Sequence, residues 1–488
     1  MPSKRSVAQS SVRAVIGIVG IAVAGASIIA ATWLPLPSFT SATPSKTVSP
    51  VPTDQQRVCP GPLLELAADS TNATGSSAFG SVSSVKGSSS GSVTSSPLKA
   101  VDDAKAKSYG VPRVLTLAAE AGQTTPPLMA GAQTQTAAED DLAGLAASGC
   151  GEASRSSWLV AGSNDLGQTS LLLLSNPTAV QASVDVSLYG ESGQVEAPGA
   201  RGILVDAGTQ RVVPLSGIGP NVKAPVVHVE SHGGSVLASL QQSVVRGLDP
   251  GGVELASATA APATHQIIPG MTVSGTAAAA GGSGGSETYS DTAPALRVLV
   301  PGDKAATVRV GIVAEKGTVG GGSSATATLQ PKTVQEIPLD RLVDGAFTLT
   351  IDSNEPVVVA ARTSVSADKA ADFAWFDASR ALRGDALVPV SKGPGAVVHL
   401  ANPTAKDVSV TFGASGSGAS AASGASGKSM TIPANTSIGV PVSEASTYTV
   451  TDATGLFASV SYAGSGLSSS FPIEPPGALA SPITVYPR

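Results

Sequence analysis

The chain has 488 residues and is poor in charge, aromatics, cysteine and histidine. Charged residues make up 13%, about half the usual share, so a helical protein with a charged solvent face is disfavoured. Aromatics are 3%. The four histidines and scattered acids form no visible constellation of nucleophile, base and orienting group, so catalysis is disfavoured too. The two cysteines, Cys59 and Cys150, form no C-x-x-C pair and have no histidine nearby, which argues against zinc. In an oxidising compartment they would close a loop of about 90 residues with one disulfide. Two buried thiols are the alternative. Basic residues are scarce as well. With Lys4, Arg5 and Arg13 set aside, 26 basic residues face 35 acidic ones, a poor surface for nucleic acid, which needs Lys and Arg on its phosphates. No cofactor is implied.

What remains is small and apolar. Hydrophobic residues are 42%, with 54 glycines and 35 prolines. That mix suits many short strands joined by small-residue loops.

Residues 14–34, "AVIGIVGIAVAGASIIAATWL", are uncharged and long enough to cross a bilayer. The basic residues precede them. The reading is a cytoplasmic tail (1–13), a single transmembrane helix (14–34) and an extracytoplasmic bulk. A secretory h-region is usually shorter, so an uncleaved anchor is favoured, although Ala24-Gly25-Ala26 fits a cleavage pattern. Residues 35–57 hold five prolines among Ser and Thr and read as a semi-rigid spacer.

A repeat organises the rest. "SNPTAVQASVDVSLYG" begins at Ser175 and "ANPTAKDVSVTFG" at Ala401. Seven residues after Pro177, Pro301 and Pro403 come Val184, Val308 and Val410, then Val186, Val310 and Phe412, without a gap. Polar residues alternate with them, the period of a strand with one face buried. Each proposed unit contains an opening strand, a second strand running into the proline, the alternating strand, a pair around a turn and a closing pair. The spacing predicts an all-β chain of tandem seven-stranded antiparallel β-sandwiches, immunoglobulin- or fibronectin-like, over 158–262, 263–386 and 387–488. Propeller blades are shorter. Residues 58–157, bounded by the cysteine pair, read as a smaller N-terminal β-unit. "AAEDDLAGLAAS" at 137–148 is the only segment after the anchor with helical spacing. The Gly/Ser/Ala-rich stretches 274–291 and 413–429 read as inserted loops.

Motifs that resemble chemistry lack its context. "GGSGG" (281–285) fits G-x-S-x-G but has low-complexity flanks. "ASGASGKS" (422–429) has Ala422 where a phosphate loop needs glycine. "HVESH" puts His228, Glu230 and His232 on one strand face, too spread for one ion, and reads as a solvated face. His265 and His399 read as ordinary strand positions without acidic partners nearby.

The stretch "GLAASGCGEASRSSWLVAGSNDLGQTSLLLLSNPT", with Cys59-Pro60-Gly61 and "VHVESHGGSVLAS", resembles an uncharacterised actinobacterial family, a domain of unknown function. The resemblance runs from about Cys59 to the C-terminus, with Pro301-Gly302-Asp303 departing from Asn-Pro-Thr. It implies a membrane span followed by a long extracytoplasmic region, in an envelope where wall glycans are built, and it adds no catalytic residue. The expectation is a non-catalytic envelope protein, anchored by its N-terminus, that binds a partner protein or cell-wall glycan as an accessory to polysaccharide assembly. A glycan-active enzyme with a site between units, or a mechanical spacer or adhesin, is the alternative.

Overall fold

The computed structural model describes residues 19, 46–48, 54–66, 75–102, 109–119, 127–139, 142–275, 292–315, 324–339, 342–367, 370–415, 427–475 and 483–485. The expected anchor lies outside them except for Val19, as do 281–285 and most of both inserts. Among the described residues no helix is long and apolar enough to cross a membrane. The chain is all-β and divides into two compact units. One, Met1–Pro50 with Pro482–Arg488, contains the antiparallel pair Lys46–Val48 and Ile483–Val485. The other, Val51–Ser481, is the body described next.

Its N-terminal segment contains β1 (Gln55–Cys59), β2 (Arg113–Leu117) and a hairpin of β3 (Met129–Glu139) and β4 (Leu142–Gly149). β1 pairs with β2, and β3 with β4. The helical reading of 137–148 is therefore wrong. Leu142 pairs with Glu139, and the Ala- and Gly-rich β4 is packed between other strands, with its glycines at the closest approaches. Tertiary packing overrides alanine's helical preference here.

Three repeats of one pairing scheme follow. The first has β5 (Ser156–Leu159), β6 (Gln168–Asn176), β7 (Ala182–Gly190), β8 (Ile203–Val205), β9 (Thr209–Pro214), β10 (Val226–Gly233), β11 (Leu237–Arg246) and β12 (Asp249–Ala256). The second has β13 (Ala263–Val273), β14 (Ala295–Leu299), β15 (Ala306–Ala314), β16 (Ser324–Leu329), β17 (Val334–Pro338), the long β18 (Gly345–Ala367) and β19 (Ala370–Asp377). The third has β20 (Ala386–Val390), β21 (Val397–Asn402), β22 (Val408–Ser415), β23 (Lys428–Ile432), β24 (Thr436–Pro441), β25 (Ser446–Thr451), β26 (Phe457–Gly464) and β27 (Leu467–Pro472).

In the first repeat β10 joins β5 to β7, and β7 also pairs β8. In its other sheet β6 lies between β9 and β11, and β11 pairs β12. The same links recur in the third repeat. In the second, β18 does the work of two strands. Its first part pairs β13 and β15, and its second pairs β14 and β19. Each repeat thus has the seven expected strand positions, two of them filled by β18 in the second repeat, where it joins the sheets, and an eighth strand at its end (β12, β19 or β27); the first repeat also has the short strand Gly193–Val195 against β7.

The aligned valines face the core between the sheets. Val184 and Val186 cluster with Leu172 and Leu174, Val308 and Val310 with Leu296 and Val298, and Val410 and Phe412 with Val398 and Leu400. Each such side chain contributes about 1.5–3 kcal/mol on burial.

The Asn-Pro-Thr turns are built alike. The Asn176 amide donates to Val180 and Val205 carbonyls at 2.8 and 3.0 Å, and its Oδ1 accepts from the Thr178 amide and hydroxyl at 2.9 and 2.7 Å. Asn402 repeats this with Lys406, Ile432 and Thr404 at 2.8, 2.9, 3.0 and 2.7 Å. The middle repeat has Val300 at that position. There an Asp303–Lys332 ion pair at 2.6 Å ties the turn, and the Lys332 amide donates to the Val300 carbonyl.

Candidate functional site

The repeats are not beads on a string. The eighth strands β12, β19 and β27 pack together around β4. At their meeting point the Asp372 carboxylate accepts backbone N–H bonds from Leu145 on β4 (2.8 Å), Val253 on β12 (3.2 Å), Phe373 on β19 (3.0 Å) and Ser468 on β27 (3.1 Å). One side chain thereby ties four strands. The approach is close. A Cβ on Gly144 would lie 2.6 Å from Asp372 Oδ1, and both Gly144 and Gly252 have positive φ. Beside it, Glu254 Oε1 accepts from the Ser469 hydroxyl at 2.7 Å and the Leu255 amide at 2.8 Å. Burial pushes the Asp372 carboxyl up to about 8, against the pull of its four N–H donors. Glu254 is also raised, first by burial.

Two further buried nodes join neighbouring repeats. The Arg297 guanidinium donates to the carbonyls of Gly162 and Pro225 in the first repeat at 2.8 and 3.0 Å, and to Glu336 in its own. It lies 4.5 Å over the Trp375 ring, whose Nε1–H donates to Gln242 of the first repeat. Burial lowers the Arg297 pKa to about 10, with Glu336 pulling it back up. Between the second and third repeats, His399 lies 2.9 Å from Glu315 through Nδ1 and 2.7 Å from the Ser461 hydroxyl through Nε2. A carboxylate only accepts, so Nδ1–H donates to Glu315. The order Ser–His–Glu is that of a hydrolytic triad. However, His399 and Ser461 are each 1% exposed, so no substrate reaches the serine in this structure. The group works as a tie between repeats.

An open feature lies where the N-terminal segment meets all three repeats. It is a cavity of about 350 Å³ whose wall includes Arg57, Glu152, Trp158, Ser379, Arg380 and Glu474. Arg57 is buried and reaches Glu152 at 3.5 Å and Glu474 at 3.7 Å, and Arg380 reaches Glu474 at 3.4 Å. Cys150 lines the cavity and is disulfide-bonded to Cys59. Of the two readings of the cysteines, the bonded one is therefore realised.

A family model described as a family of unknown function, DUF5719, matches residues 96–443. The chain belongs to that family. No curated protein and no solved structure matches it. The DUF5719 match is narrower than the resemblance read from sequence. It contains the first two repeats, Cys150 and the residues Arg297, Asp372 and His399, but leaves out Arg57, Cys59, Ser461 and Glu474.

Within this DUF5719 chain, "HVESH" falls on β10. His228 stacks on Trp158 at a centroid distance of 4.0 Å, and burial holds its pKa below the usual value. His232 points instead toward Asp185 at 3.9 Å. Among the described residues no group of three or more His, Cys, Asp or Glu could hold a metal ion. The expectation that His265 and His399 lack acidic partners is overturned. Asp352 lies 2.7 Å from His265, and Glu315 lies 2.9 Å from His399, 84 residues away in sequence. The sequence reading also missed Asp372, Glu254, Arg297 and Arg57. Their partners are far along the chain, and no local spacing marks them.

Proposed function

We propose that this DUF5719 chain is a non-catalytic, membrane-anchored protein of the cell envelope. Its extracytoplasmic repeats would hold a partner protein or cell-wall glycan as an accessory to polysaccharide assembly. The uncharged run at 14–34, its basic flank and the Pro-rich spacer support the anchor and its orientation. The Cys59–Cys150 disulfide suits an oxidising compartment. We read each repeat as a sandwich of immunoglobulin or fibronectin type, enlarged by the eighth strand.

The observation that carries the binding role is the cavity between the N-terminal segment and the repeats. The charged nodes elsewhere in the body are enclosed and bonded internally, which suits structural ties. Cell fractionation with protease treatment of intact cells tests this. The chain should sit in the membrane fraction, be digested from outside, and carry wall polysaccharide or a membrane enzyme with it. Recovery from the cytosol would overturn the proposal.

A glycan-active enzyme is the second reading, favoured by the carboxylates Glu152 and Glu474 in that cavity. Both are ion-paired to Arg57, an arrangement for holding a ligand more than for moving protons. Cleavage of wall fragments that is lost in Glu474→Gln would establish this reading. A fluorophosphonate probe should leave Ser461 unlabelled. Labelling lost in Ser461→Ala would make the chain a hydrolase.

A further inference from the structure

We propose that the cavity beside the disulfide binds an uncharged saccharide, held by Arg57, Glu474 and Ser379. The inference rests on the binding role above and names the class of ligand and its site.

The wall's charge is balanced. Arg57 and Arg380 stand against Glu152 and Glu474. A charged ligand would bring a net charge into a wall whose own charges already balance, beside the buried Arg57. A sugar hydroxyl avoids the problem, because it accepts from a guanidinium and donates to a carboxylate at once.

The polar groups are also incompletely used. The ion pairs of Arg57, at 3.5 and 3.7 Å, are longer than the roughly 2.7–2.9 Å of a charge-assisted hydrogen bond. Arg57 Nε and the Ser379 hydroxyl are buried and have no hydrogen-bond partner. Both residues line the cavity, whereas the hydroxyls of Ser148, Ser154, Ser156, Ser157 and Ser257, which also line it, already bond within the protein. Trp158, Leu237, Phe471 and Ile473 add apolar surface for the C–H face of a sugar ring.

The backbone argues against a peptide. An extended peptide binds by pairing with a free strand edge. Here the lining amides of Cys150, Gly151, Ser154, Thr259, Ala260 and Ser379 already donate to Gly131, Val58, Val236, Trp158, Ala378 and Ile267. The Ser379 hydroxyl, the guanidinium groups and the carboxylates remain for a ligand. The volume of about 350 Å³ is near the lower end of ligand pockets and suits a ligand of one or two sugar rings.

Titration calorimetry of the full chain in detergent tests this, with neutral hexose and pentose disaccharides, uronic-acid disaccharides and a Ser/Gly tetrapeptide as probes. A neutral disaccharide should bind saturably with one equivalent, and the other two classes should not. Glu474→Gln should weaken binding about tenfold. Ser379→Ala should weaken it several-fold and leave the thermal midpoint unchanged, since its hydroxyl has no internal partner to lose. Ala258→Phe, which fills the cavity, should abolish binding while the far-UV spectrum is kept. Binding of the uronate or peptide instead, failure of every neutral probe, or binding indifferent to these substitutions would each overturn the proposal. If the membrane-bound chain retains its envelope partner while neutral sugars fail, the cavity proposal falls and the envelope reading stands. A cytosolic chain that binds neutral sugars gives the reverse.

Discussion

Asn176 and Asn402 occupy equivalent turns 226 positions apart and share four bonds, two donated to backbone carbonyls and two accepted from the threonine two residues on, to which Asn402 adds a longer one to the Pro433 carbonyl. Both are buried. Asn402→Ala would leave the Thr404 amide and the carbonyls of Ile432 and Pro433 without their side-chain partner, while the Lys406 carbonyl keeps the Thr404 hydroxyl. At about 1–3 kcal/mol for an orphaned buried group, a loss of roughly 3 kcal/mol is expected in urea unfolding. An unchanged midpoint would show that these bonds follow the turn and do not hold it.

Arg297 joins two repeats from a buried position, with four hydrogen bonds and a ring contact. Arg297→Met orphans the carbonyls of Gly162 and Pro225 and leaves Glu336 with only the longer Arg362 pair, at 3.9 Å. Breaking a buried pair of this kind costs about 3–5 kcal/mol. Arg297→Lys should recover only part, since an ammonium lacks the guanidinium fork. Thermal melts followed by far-UV circular dichroism test both, and equal midpoints for Lys and Arg would contradict the geometry.

Burial raises Asp372 and Asp377 from 3.8 to about 8, and Glu254 well above 4.5. A carboxyl raised in the folded state binds its proton more tightly there than in the unfolded chain. Its contribution is complete below the unfolded pKa and is lost as pH rises through the folded one. The body should therefore gain stability from pH 9 down to pH 6. Glu336 is lowered by Arg297 and Arg362 despite its burial, so its contribution is lost only in acid, below that window. Asp377 Oδ1 has no partner, so Asp377→Asn mimics the protonated acid. It should remove up to one proton's slope, about 1.4 kcal/mol per pH unit. Urea midpoints across this range should show the difference, and identical slopes would rule out its titration.

The disulfide joins residues 91 apart. In the chain-entropy model that closure contributes about 4.6 kcal/mol. The double variant Cys59→Ser, Cys150→Ser should lose stability on that order, with early proteolysis between the two positions. Because Cys150 lines the cavity, the loss should include ligand protection against proteolysis there.

Much of the architecture was legible in the sequence, because strands with one buried face declare themselves by alternation. Val184, Val308 and Val410 align for that reason, and each is buried in its repeat's core. The eighth strands escaped notice because they are enclosed on both sides. β12, "DPGGVELA", and β19, "AADFAWFD", show no alternation and carry buried acids that read as solvent-facing. β4 looked helical because small residues at its crowded crossing mimic a helix former's composition. The cavity was illegible for another reason. Arg57, Ser379 and Glu474 come from three distant parts of the chain, and only the completed fold sets them on one wall.

The strand β4 also has a consequence in time. The Ala147 amide donates to the Ser469 hydroxyl, 322 residues further on. A chain made from its N-terminus at about 5–20 residues per second keeps that hairpin waiting on the order of 15–60 s for its cover. The piece synthesised early is covered late, so β4 should stay open to proteases until β27 has been made.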